Sequence, residues 1–147
     1  MKMRTMIWVM LCLLLTVGLA HADLDAYLEE LSISARGDQV QFTARLGARF
    51  DLPAGEVELV LSNVDRPADA FLVLWLGEKS HQSRERVLEV YRHQKGGWGA
   101  IARELGIKPG SQTFHDLKAG TLDFHPDERN TSSQQHGKKP KKGGKRK

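Results

Sequence analysis

Apolar positions recur at helical spacing through most of residues 23–118. Leu24, Tyr27, Leu28 and Leu31 fall at i, i+3, i+4 and i+7, which lays one apolar stripe along an α-helix. Asp23 and Asp25 stand at its N-terminal end, where the helix dipole favours acids. Gly37-Asp38 breaks the chain and restarts it. Phe42, Leu46 and Phe50 then recur four apart, with Arg45 and Arg49 on the polar side. The alternation in Gln39-Val40-Gln41-Phe42 also fits a short strand. Leu52-Pro53 marks the next start, with Glu56 in the first turn and Val57, Val60, Leu61 and Val64 following at helical spacing.

Asp65-Arg66-Pro67 repeats that device and leads into seven consecutive apolar residues, Ala70–Leu76. A helix hydrophobic almost all round belongs at the centre of a domain. A buried strand is the alternative, because Phe, Val and Trp suit strands. Gly77 and Ser80 close the segment. Ser83 is placed to cap a helix carrying Val87, Leu88 and Tyr91 on one face. After Gly96-Gly97, Trp98, Ile101, Ala102 and Leu105 repeat the i, i+3, i+4, i+7 stripe. Gly106 sits where a left-handed C-terminal cap is wanted, with Ile107 behind it and Pro109 beyond. Ser111 is placed to cap a last short helix carrying Phe114 and Leu117. The pattern predicts an all-α fold, a compact bundle of about six or seven short helices. Its expected core anchors are Phe71, Trp75, Tyr91, Trp98, Ile101, Leu105 and Phe114.

The N-terminus changes the setting. Lys2 and Arg4 precede an apolar run from Met6 to Ala20, and Ala20-His21-Ala22 follows with small residues at the −3 and −1 positions of a cleavage site. This is the layout of a secretory signal peptide, shorter than the roughly 20 residues of a membrane-spanning helix. Residues 1–22 are therefore expected to be a cleaved signal, residues 23–122 a helical domain, and residues 123–147 a disordered polar and basic tail. The mature form is expected to be periplasmic or secreted, with no integral membrane span. The lone Cys12 lies within the signal and follows Leu11, where lipid attachment would need a small residue. Its removal leaves no thiol for disulfides, zinc–thiolate sites or nucleophilic catalysis.

Charge is unevenly placed. Residues 23–137 carry thirteen Lys and Arg against eighteen Asp and Glu, a net charge of −5. The last ten residues carry Lys138, Lys139, Lys141, Lys142, Lys145, Arg146 and Lys147 and no acid, which is +7. From Asn130 the composition is too polar to offset the cost of ordering. Such a segment is drawn to anionic surfaces: anionic lipid, outer-membrane glycolipid or wall polymer. A protein partner is a further expectation.

No catalytic motif is present: no Gly-x-Ser-x-Gly, no His-Glu-x-x-His and no glycine-rich phosphate loop. The chain is expected not to be an enzyme and to need no cofactor. An envelope enzyme without a recognisable motif is the weaker alternative, since paired carboxylates are a spatial feature. The only metal candidates are His115, His125 and Asp127, the last two within Asp123-Phe-His-Pro-Asp-Glu128. Carboxylate and imidazole can hold Zn, Cu or Ni, so a metal- or small-ligand-binding protein is the alternative function. The same residues also fit a solvated polar linker.

The most distinctive stretch is Gly97-Trp-Gly-Ala-Ile-Ala-Arg-Glu-Leu-Gly-Ile-Lys-Pro-Gly-Ser-Gln-Thr-Phe-His-Asp-Leu-Lys118. Ala102, Gly106 and Ile107 have the spacing of a DNA-binding helix-turn-helix. Pro109-Gly110 falls where its recognition helix would begin, and Gln112 stands at a position that should be apolar. Export also separates the domain from the genome, so sequence-specific DNA binding is not expected. With Pro67-Ala-Asp-Ala70, the stretch resembles a family of uncharacterised small exported proteobacterial proteins with a GWGxIAxxLGIxPGSxxFHxLK pattern. The resemblance covers roughly residues 53–118. It implies a helical, exported domain and carries no activity.

Overall fold

The computed structural model describes residues 22–125. The expected signal peptide up to His21, Asp127 and the lysine-rich segment lie outside them. The described chain forms seven helices and no strand: α1 (Ala22–Gly37), α2 (Gln39–Phe50), α3 (Ala54–Leu61), α4 (Pro67–Ser80), α5 (Arg84–His93), α6 (Trp98–Glu104) and α7 (Gln112–Ala119).

Local chemistry sets most of the boundaries. The Asp38 carboxylate accepts the Gln41 N–H at 2.9 Å and starts α2. The Ser83 and Ser111 hydroxyls accept the Arg86 and Phe114 N–H groups and start α5 and α7. Each satisfies one of the amides that a helix N-terminus leaves unpaired. Pro67 opens α4 at a position where the missing N–H is harmless. Gly106 adopts φ +89° after α6, and the Ile107 N–H reaches back to the Ala102 carbonyl at 2.9 Å.

Both strand alternatives resolve as helix. Gln39–Phe42 is the first turn of α2, and its Val40 points to solvent at 83% exposure. The run Ala70–Leu76 lies in α4, and Ala68 to Gly77 is buried throughout. Helix α4 has no polar face because α1, α3 and α5 pack around it. From α1, Leu24, Leu28, Leu31 and Ala35 enter the core; from α2, Phe42 and Leu46; from α5, Val87, Leu88 and Val90.

The packed chain runs past residue 122, the boundary read from composition. Leu122 and Phe124 are buried. The Phe124 ring stacks on Phe71 at 5.0 Å and meets Phe42 edge-on at 6.1 Å. Its carbonyl accepts the Tyr27 hydroxyl at 2.5 Å. The next carbonyl, of His125, accepts from Arg45, whose guanidinium also lies over the Phe124 ring. Leu122 and Phe124 alternate with the exposed Thr121, Asp123 and His125, so the segment turns its apolar side chains onto the core.

Candidate functional site

Two adjoining cavities open at one end of the bundle and share Arg66, Gly97 and Trp98 in their walls. The larger measures about 490 Å³ and the smaller about 330 Å³. Their geometry is built from a pair of stacked rings. Trp98, the first residue of α6, lies against Tyr91 of α5 with centroids 5.3 Å apart and an interplanar angle of 30°. The approach to Trp98 is the turn at Gly96-Gly97. A side chain at position 96 would bring its Cβ within 2.7 Å of the Ala100 methyl, and Gly97 adopts φ +73°.

A polar network holds the rings in place. The Tyr91 hydroxyl donates to Asp69 Oδ2 at 2.9 Å and accepts the Asp65 N–H at 3.1 Å. Asp69 is only 3% exposed, and Arg66 grips both its oxygens: Nη2 to Oδ1 at 2.9 Å and Nε to Oδ2 at 3.3 Å. A buried carboxylate with two partners is satisfied rather than stranded. Hydrogen bonding to Asp69 raises the affinity of the Arg66 guanidinium for its proton, against partial burial. Burial, followed by the Asp69 and Asp65 carboxylates, pushes the Tyr91 phenol up, although the Asp65 N–H opposes the shift. Tyr91 therefore stays a hydrogen-bond donor through neutral pH.

The larger cavity has a charged rim. Arg66, Arg103 of α6 and Lys118 of α7 line it together with a single acid, Asp25 of α1. Phe114 of α7 forms part of its wall beside Trp98 and is half-buried. Arg103 is exposed and has no ion-pair or hydrogen-bond partner for its guanidinium among the described residues. Lys118 is half-buried and engaged. A third cavity of about 450 Å³, away from this end, has Phe50, Leu52 and Leu74 in its wall and Glu78 and Arg84 among its polar residues.

The expected core anchors divide into two groups. Phe71, Trp75, Trp98, Ile101 and Leu105 are buried. Tyr91 and Phe114 are half-buried, because both edges serve the cavities. His115 and His125 are exposed, and Asp123 is taken by Arg49 at 2.6 Å. Among the described residues no group of three or more His, Cys, Asp or Glu is placed to hold a metal. The helix-turn-helix spacing does not build the DNA-binding motif. Residues 105–111 separate α6 from α7, longer than the motif's roughly three- to four-residue turn. Among the described residues no helix is long and apolar enough to cross a membrane.

The polar rim was not visible in the sequence. Arg66 reads there as part of a helix start, and the sequence pattern gives Arg103 and Lys118 no role. Their meeting depends on α6 and α7 folding back beside the α3–α4 turn. No family model, curated protein or solved structure matches this chain.

Proposed function

We propose that this chain is an exported, non-catalytic interaction module held at anionic envelope surfaces by its basic C-terminal segment. The observation that carries the reading is the charge split: −5 over residues 23–137 and +7 over the last ten. The geometry of the body supports it. Arg49, Arg66, Arg84 and Arg86 are each paired with an acid of the same domain, Arg49 with both Glu78 and Asp123. Those pairs use four arginines of the body internally, and the last ten residues, with seven cations and no acid, are the densest run of positive charge in the sequence. Near an anionic membrane each Lys or Arg contributes about 1 kcal/mol, a term that salt screens.

The test is co-sedimentation with vesicles of anionic and of zwitterionic lipid at increasing salt, using the mature chain with and without residues 138–147. Outer-membrane glycolipid and wall polymer serve as further targets. Binding that needs the last ten residues, prefers anionic surfaces and fades with salt supports the proposal. Equal binding by the truncated chain overturns the role of the tail. Salt-resistant binding to a protein, with none to the surfaces, replaces the surface by that partner.

A further inference from the structure

We infer that the groove beside Trp98 is a binding site for a small organic anion, a carboxylate or phosphate carried on a flat ring. The inference is independent of the tail. Four observations meet at this place.

The first is size. A volume of about 490 Å³ lies within the range of small-molecule sites, about 300–1,000 Å³. The second is charge. Three cations and one acid line the groove; Arg66 is paired with Asp69 and Lys118 is engaged, which leaves Arg103 as the cation positioned to meet an anion. The Arg103 guanidinium has no ion-pair or hydrogen-bond partner among the described residues, and its planar fork suits carboxylate and phosphate oxygens. The third is shape. Trp98 and Phe114 contribute aromatic surface, and the glycines at 96, 97 and 99 leave the intervening wall without side chains. A ring can therefore approach the backbone closely. The fourth is rigidity. Trp98 is held by Tyr91, Tyr91 by Asp69 and Asp65, and Asp69 by Arg66, so the walls exist before any ligand arrives. A preformed wall lowers the ordering cost of binding.

The sequence adds a consistent point. Of the two stretches singled out there, residues 67–70 and 97–118, Asp69 of the first and Trp98 and Ile101 of the second line the smaller adjoining cavity, although they are distant in the chain. Packing accounts for Ile101, Ala102, Leu105 and Ile107, all buried. It does not account for Arg103 at the groove rim.

The experiment uses the full mature chain, isotopically labelled, and follows the Trp98 indole N–H by nuclear magnetic resonance. Phenyl phosphate and benzoate are the probes; inorganic phosphate and benzyl alcohol are the controls lacking the ring or the charge. At least one ring acid is expected to shift the Trp98 resonance saturably and to bind about tenfold or more tightly than either control, the worth of one charge-assisted hydrogen bond. Arg103→Gln is expected to weaken that binding by about the same factor without changing the melting temperature, since Arg103 is exposed and has no partner among the described residues. The seven C-terminal cations are common to both proteins, so any anion they attract cancels in the comparison. The inference is overturned if neither acid moves the resonance, if benzyl alcohol binds as well as the acids, or if Arg103→Gln binds like the parent.

Discussion

Trp75 and Trp98 are both buried, yet their neighbours ask different things of them. Trp75 is 2% exposed within α4, and the Lys79 ammonium lies over its ring, 5.7 Å from the centroid. Trp98 stands at the edge of a cavity, with one face on Tyr91. Trp75→Ala should therefore cost about 3–5 kcal/mol, as large-to-small core changes do. That is a large part of a small domain's stability, and chemical denaturation of the purified variant measures it. An unchanged denaturation midpoint would show that Trp75 is not in the core. Both tryptophans were legible from spacing alone. Asp69 was not: an acid in the first turn of a helix is usually solvated, and this one is buried only because Arg66 and Tyr91 reach it. Nor was Ser32, which is fully buried on α1 with a hydroxyl that lacks a hydrogen-bond partner among the described residues.

At the level of elements, caps and stripes were readable because they depend on neighbours a few positions away. The joints between elements were not. Gly120 ends α7 at φ +64°, and a Cβ there would lie 2.9 Å from the Asp23 carbonyl, so α7 closes directly on the start of α1. Arg49 of α2 ties α4 to the C-terminal segment by pairing with Glu78 at 3.0 Å and Asp123 at 2.6 Å. Partial burial alone would raise the Glu78 pKa, but hydrogen bonding and charge from Arg49, then from Lys79, hold it below the ordinary carboxylate value. A depressed carboxylate stabilises the fold above its unfolded pKa of about 4.3, and that contribution fades as pH falls through the lowered folded value. Melting temperature should accordingly drop on acidification below about pH 4. Glu78→Gln should melt lower at neutral pH and show a shallower acid limb. Parallel acid limbs for the two proteins would mean that the pair contributes nothing.

Across the whole molecule, the C-terminal segment decides where the domain ends. Truncation after His125 should leave the melting temperature nearly unchanged, because Leu122 and Phe124 remain seated. Truncation after Thr121 removes both and should lower stability by about 3–5 kcal/mol, the scale of losing a buried Phe. Thermal melts of the two truncated proteins separate these outcomes, and equal melting would place Phe124 outside the cooperative core. The sequence by itself determined the all-helical class, the faces that turn inward and the division between an acidic body and a basic tail. Each follows from composition or from a repeat of three to four residues, which a single helix expresses wherever it lies. Only the tertiary structure decided which faces meet. It placed Phe124 on Phe71 and joined Tyr27 to a carbonyl 97 positions away. It also brought Arg66, Trp98, Arg103 and Lys118 around one cavity. Contacts at such separation depend on how helices stack, and no local period of the chain carries that information.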